Sequence, residues 1–121
     1  MKARIGRWSD GRLTIEIDTE KHSEAQVLHD LIRDTQAWPE FLAQGAEQAR
    51  HPEQVTADNR PFYTGNETVA QVTPDGVHIE HVWSGDKVLL SHADFVDFVE
   101  TYLRLLELRK QERGGVRGEV E

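Results

Sequence analysis

The chain has 121 residues, 37% of them hydrophobic and 30% charged, with no cysteine and a net charge of −8. This is enough chain for one domain with a real core and too little for two. Without cysteine, disulfides and thiol chemistry are excluded, and no apolar run approaches the roughly 18 residues that span a bilayer.

The charge is unevenly placed. Residues 1–12 carry Lys2, Arg4, Arg7 and Arg12 against Asp10, and residues 104–121 carry five basic and four acidic residues. Residues 13–103 are left with five basic and seventeen acidic residues, a balance of −12. Such a field repels nucleic acid and acidic membranes and attracts basic partners; it also keeps a protein soluble. The N-terminus, Met1 to Arg7, is basic but has no apolar stretch of the secretory kind. Together with the missing membrane span, this leads us to expect a cytoplasmic protein.

The first predicted element is a β-hairpin. Arg4 to Trp8 and Arg12 to Asp18 flank Ser9-Asp10-Gly11, and Asp-Gly favours a tight turn because both residues tolerate positive φ. Leu13, Ile15 and Ile17 alternate with Thr14, Glu16 and Asp18, the pattern of a strand with one wet face. A helix follows, with capping-box spacing at Ser23-Glu24-Ala25-Gln26 and an apolar stripe of Val27, Leu28, Leu31 and Ile32. Glu24, Asp30 and Arg33 fall off that stripe. Trp38-Pro39 interrupts the pattern, and proline suits a first helical turn, so a second helix begins near Pro39. It buries Phe41, Leu42, Ala46 and Ala49, with Gly45 a weak point inside it.

Residues 51–66 show neither helical nor strand period, and Pro52, Pro61 and Gly65 mark an irregular segment. Irregular connections of this length are uncommon in small domains. The segment is either a functional loop or a crossing from helix layer to sheet edge. Three β-prone runs come next: Val69 to Thr73, Val77 to Trp83 and Lys87 to Ser91. Pro74-Asp75-Gly76 and Ser84-Gly85-Asp86 separate them. The final element is a helix from His92 to about Glu112, capped by Ser91, with Phe95, Phe98, Val99, Tyr102, Leu103 and Leu106 as its apolar stripe. Gly114-Gly115 ends it, and 114–121 reads as a flexible C-terminal tail. The expectation is a single α+β domain over 1–113: N-terminal hairpin, helical layer, three-strand antiparallel meander, and a long C-terminal helix packed on the sheet. Hairpin and meander are expected to share one sheet, with helices on one face.

Motifs for chemistry are sparse. His78, Glu80 and His81 form the densest titratable cluster, with His78 and Glu80 on one strand face and His81 on the other. Two ligands fall short of the three a catalytic zinc takes, and His29, His51 and His92 offer no selected third. Ser84, His81 and Asp86 can be drawn as a triad, yet no Gly-x-Ser-x-Gly elbow supports it. No glycine-rich phosphate loop exists. No catalytic residue, metal or cofactor is therefore assigned. Trp8, Trp38 and Trp83 either line a pocket or, as large aromatics of a small domain usually do, form its core. In the 51–66 segment, Asn59, Arg60, Phe62 and Tyr63 form the candidate partner-binding group, since Tyr and Arg supply contact area with directed hydrogen bonds. Inward packing of Phe62 and a local ion pair for Arg60 are the alternative.

Size, acidity, missing motifs and layout together resemble small bacterial immunity and antitoxin proteins, which bind and block a toxic enzyme. The resemblance implies an acidic, non-enzymatic protein-binding domain whose partner is basic, such as a toxin nuclease. It carries no motif, so no family residue is transferred. Two alternatives stand beside it: a self-associating housekeeping protein of the cytoplasm, a homodimer for example, or a small ligand-binding or enzymatic domain with a pocket between sheet and helix.

Overall fold

The computed structural model describes residues 1–113 with their side chains. The hairpin consists of β1 (Lys2–Arg7) and β2 (Leu13–Asp18), paired from Lys2↔Asp18 to Arg7↔Leu13. Gly11 takes the left-handed conformation that its turn requires, at φ 89°. Asp10 Oδ1 accepts from the Arg12 backbone N–H at 3.0 Å and holds the turn from inside. Alternation places Leu13 and Ile15 in the core, with Ala3, Ile5 and Ile17 packed against it.

The other sheet has four antiparallel strands in the order β3-β4-β5-β6. They are β3 (Tyr63–Thr64), β4 (Thr68–Thr73), β5 (Gly76–His81) and β6 (Lys87–Leu90). The meander thus gains a short fourth strand, donated by the end of the irregular segment. The hairpin stays a separate two-stranded sheet, contrary to the expected single sheet. Its apolar face is spent on the last helix, so it does not join the meander's edge. The second run also stops at His81, leaving Val82 and Trp83 in the turn.

Three helices cover one face of the four-stranded sheet and carry the hairpin. They are α1 (His22–Asp34), α2 (Glu40–Arg50) and α3 (His92–Val120). The start of α1 is set by Lys21, whose backbone N–H donates to Glu24 Oε1 at 3.3 Å, so Ser23 lies inside the helix and is not its cap. Ser91 does cap α3: its Oγ accepts from the Asp94 backbone N–H at 3.1 Å. Along α3 the buried positions are Phe95, Phe98, Val99, Tyr102 and Leu105, while Leu103 and Leu106 are half-buried. The helix outruns the sheet, and the hairpin covers the excess. Arg109 donates to the Leu13 carbonyl at 2.8 Å, and Arg7 pairs with Glu112 at 2.6 Å. The helix bounds run past Gly114-Gly115, which therefore do not end it; the side chains of the expected tail at 114–121 lie outside the described residues.

Sheet residues alternate strictly. Thr68, Ala70, Val72, Val77, Ile79, Val88 and Leu90 are buried under the helices. Their neighbours Val69, Gln71, His78, Glu80, Lys87 and Leu89 take the opposite face, as the two-residue period demands. Gly45, the weak point of α2, has a packing role: a Cβ there would collide with the Phe62 ring. The crossing of the irregular segment beneath α2 depends on that gap.

Candidate protein-binding surface

The sequence singles out Asn59, Arg60, Phe62 and Tyr63, and the structure does not bring their side chains to one surface. Phe62 is 4% exposed, tilted against Phe95 at 5.5 Å between ring centres. Tyr63 is 7% exposed and meets Phe41 edge-on at 5.3 Å. Both rings are core, because the segment crosses under α2 on its way to β3. Asn59 is exposed but locally engaged, its Oδ1 accepting from the Thr56 N–H at 2.8 Å and its carbonyl from Gln48 Nε2 at 2.9 Å. Arg60 is half-buried, and its Nε lies buried without a hydrogen-bond partner among the described residues.

The tryptophans go the other way. Trp8 is 58% exposed, Trp38 56% and Trp83 74%, so none lies in the core. Each sits in a turn: Trp8 in the hairpin turn, Trp38 between α1 and α2, Trp83 between β5 and β6. A turn that protrudes from the layers offers no neighbours to bury a large ring. Trp83 is accompanied by Val82 at 41% and Leu89 at 53% exposure. On the outer face of β4, β5 and β6, Val69 pairs with Glu80 and Leu89 with His78. That face forms an open groove of about 440 Å³ lined by Val69, Gln71, His78, Glu80, Lys87 and Leu89 among others.

Rigid support lies just behind Trp83. His81 turns inward from β5, as its parity predicts, and places Nε2 3.9 Å from Asp30 Oδ2. Asp30 is buried, although the helical pattern puts it off the apolar stripe. Its Oδ1 accepts from Gln26 Nε2 at 3.0 Å and from Arg33 at 2.9 Å. A buried carboxylate with such partners avoids the penalty of an unpaired charge. Arg33 also clasps Glu67 at 3.1 Å; that bond raises the guanidinium pKa, burial opposes it, and the charges of Glu67 and Asp30 add to the rise. The ring of Trp83 stands edge-on to His81 at 6.0 Å.

Asp34, one turn further along α1, ties helix to sheet. Its Oδ2 accepts from the backbone N–H groups of Glu67 and Thr68, each at 3.1 Å, and from the Thr68 hydroxyl at 3.0 Å. Its own carbonyl accepts from the Tyr63 hydroxyl at 2.8 Å. Burial alone raises the Asp34 pKa, but these donors outweigh it and hold the carboxyl below its ordinary value. Burial and the neighbouring Asp34 charge push the Tyr63 phenol up. Asp30 and Asp34 thus clamp the outer ends of β4 and β5, from which the Trp83 turn projects.

The geometry speaks to the chemical alternatives. His81 Nδ1 accepts from the Ser84 backbone N–H at 3.2 Å, while Ser84 Oγ accepts from the Asp86 N–H at 3.2 Å. The imidazole therefore braces the turn, and the serine hydroxyl is not presented to it as a nucleophile. His78 Nε2 lies 3.1 Å from Thr73 Oγ1. Among the described residues no group of three or more His, Asp or Glu is placed to hold a metal ion, and no helix is long and apolar enough to cross a membrane.

A signal for this surface exists in the sequence: two large apolar residues, Val82 and Trp83, immediately before Ser84-Gly85-Asp86. Reading them as the end of a strand hides it. Comparison with protein-family models, with curated proteins and with solved structures finds no match.

Proposed function

We propose that this chain is a small acidic, non-enzymatic protein-binding domain that docks a basic partner, in the manner of an immunity- or antitoxin-type inhibitor. The observation that carries the reading is the exposure of three large apolar side chains, Val82 and Trp83 in the braced β5–β6 turn and Leu89 on the edge strand that follows it. Tryptophan is strongly enriched among residues that dominate binding energy, because one rigid ring buries much area at little entropic cost. A ring held out in water on a support tied down by Asp30, Arg33 and Asp34 is pre-organised for that use.

Charge supplies the partner's sign. The segment 13–103 carries −12, and a field of that sign steers basic proteins toward the surface before any contact forms. The grooves on the sheet are open, which suits a macromolecular surface better than a small substrate needing enclosure.

The test is a pull-down from the native host at low and moderate salt, with wild type and Trp83→Ala side by side, followed by binding kinetics on the recovered partner. A basic partner should associate faster at low salt, since screening shortens from roughly 10 Å at 0.1 M to 3 Å at 1 M. Trp83→Ala should dissociate faster with little change in association. A partner that binds both proteins alike, with a salt-independent on-rate, would sink the reading.

A further inference from the structure

From the exposed strand β6 we infer that the partner is engaged by strand addition: an extended segment alternating basic and apolar residues pairs with Lys87–Leu90 as a fifth strand of the sheet. This rests on the reading of the chain as a basic-partner binder and adds the mode of recognition.

The first ground is the backbone. β6 is the last strand in the order β3-β4-β5-β6 and has no neighbour on its far side. The His81 N–H donates to the Asp86 carbonyl at 2.9 Å, and hydrogen-bonded pairs alternate along an antiparallel ladder. With Glu80↔Lys87, Ile79↔Val88, His78↔Leu89 and Val77↔Leu90 in register, Val88 and Leu90 bond inward to β5. The N–H and C=O groups of Lys87 and Leu89 then face outward. Among the described residues no other hydrogen bond claims them. Edge strands are commonly blunted by charge, proline or a covering loop. Here Lys87 is the one charge on the strand, and Leu89 at its centre is 53% exposed.

The second ground is that a groove lies along each side of this edge. The outer one, of about 440 Å³, includes Val69, Lys87 and Leu89. The inner one, of about 190 Å³, is lined by Val88 and Leu90 together with Glu20, Glu24 and Asp94. Side chains of an added strand would alternate between the two grooves. Those entering the inner groove would meet three carboxylates, offset by the Met1 nitrogen 3.7 Å from Asp94. Those on the outer side would lie beside Leu89 and Val69, with the Lys87 ammonium there already paired to Glu80 at 3.9 Å, so apolar residues are favoured. Basic inside and apolar outside is a period of two, the period only a strand has.

The probe is a six-residue peptide alternating lysine and valine, added to the full chain and followed by amide shifts. The expected result is saturable shifts largest at Lys87 and Leu89. Removing two backbone donors by N-methylation on the pairing edge should weaken binding roughly tenfold or more. Glu20→Gln with Glu24→Gln should weaken it as well. Leu89→Pro should abolish binding without losing a ladder bond, because that N–H faces outward, and its fold is checked by its own spectrum. Four outcomes overturn the inference: equal binding by the N-methylated peptide, by a peptide with its three lysines in a block, or by a glutamate–valine peptide, or β6 amides already protected by a dimer of the chain alone. If the pull-down recovers a salt-sensitive basic partner that leaves Lys87 and Leu89 unshifted, strand addition fails while the binding reading stands. If the peptide pairs with β6 but Trp83→Ala and salt do not alter partner binding, strand addition stands and that reading fails.

Discussion

Two irregular segments of this protein each carry a pair of large apolar residues, and the fold treats them in opposite ways. In the crossing segment 51–66, Phe62 and Tyr63 go inward; in the β5–β6 turn, Val82 and Trp83 go outward. Composition does not separate the two, since turn-forming residues flank both pairs: Asn59, Thr64 and Gly65 around one, Ser84, Gly85 and Asp86 after the other. What separates them is the receiving surface. Phe62 finds the bare backbone of Gly45 and the face of Phe95, and Tyr63 finds Phe41 and a carbonyl for its hydroxyl. The turn at Trp83 projects past the last residues of the sheet, and the ring stays 74% exposed with its centre 6.0 Å from that of His81. An aromatic pair in a loop is core when the loop crosses a layer, and contact surface when it caps a hairpin.

The comparison can be broken most sharply at Phe62. Phe62→Ala should cost about 3–5 kcal/mol, the range for a buried phenylalanine, and chemical denaturation would measure it. An unchanged midpoint would mean that the crossing segment is not packed under α2. Gly45→Ala approaches the same contact from the other side. The substitution gains about 1 kcal/mol in helix propensity, but overpacking against the ring costs about 1–3 kcal/mol. A net loss is expected, and the double variant with Phe62→Leu should recover part of it.

Asp34 ties the crossing segment to the sheet, because it receives Tyr63 from that segment and Thr68 from β4. Asp34→Ala leaves two backbone donors and a hydroxyl short of an acceptor and should cost about 1–3 kcal/mol. The sign of its pH dependence follows from a carboxyl held below its unfolded value of 3.8. The stabilisation is fully present above that value and is lost as pH falls through the lower folded pKa. Melts of wild type and Asp34→Ala should therefore converge as pH drops from about 5 toward 2, and parallel curves would contradict the assignment. His29 supplies a smaller effect at higher pH. Burial disfavours its charge, opposed in part by Asp30, so its folded pKa lies below 6.5. Its contribution is present above 6.5 and lost as pH falls through the folded value. Proton NMR of the His29 ring should give a midpoint on the acid side of 6.5.

The smallest effect on stability belongs to the outward pair. Trp83→Ala should leave the denaturation midpoint within about 0.5 kcal/mol of wild type, as for a surface substitution. A loss of several kcal/mol would show that Trp83 serves the fold, and the contrast with Phe62 would collapse. A near-neutral stability together with faster dissociation of the partner would sharpen it.

Local chemistry in the sequence determined much of this protein. Alternation of Leu13, Ile15 and Ile17, turn residues at Asp10-Gly11 and Asp75-Gly76, the Ser91 cap, and the helical spacing of Phe95, Phe98, Val99 and Tyr102 suffice for the elements and the α+β class. Each depends on neighbours within a turn or two of chain. Tertiary structure alone decided the rest. It kept the hairpin off the sheet, because a helix longer than the meander needed cover. It buried Asp30, because Arg33 and His81 arrive there from a neighbouring turn and a distant strand. It also sent three tryptophans outward and Phe62 and Tyr63 inward. The candidate surface was least legible for this reason: whether a ring is buried depends on what lies opposite it, and that is the backbone of Gly45, 17 residues away, for Phe62, whereas Trp83 stays 74% exposed. Spacing reports the periodicity of one element, whereas exposure is a property of the pair.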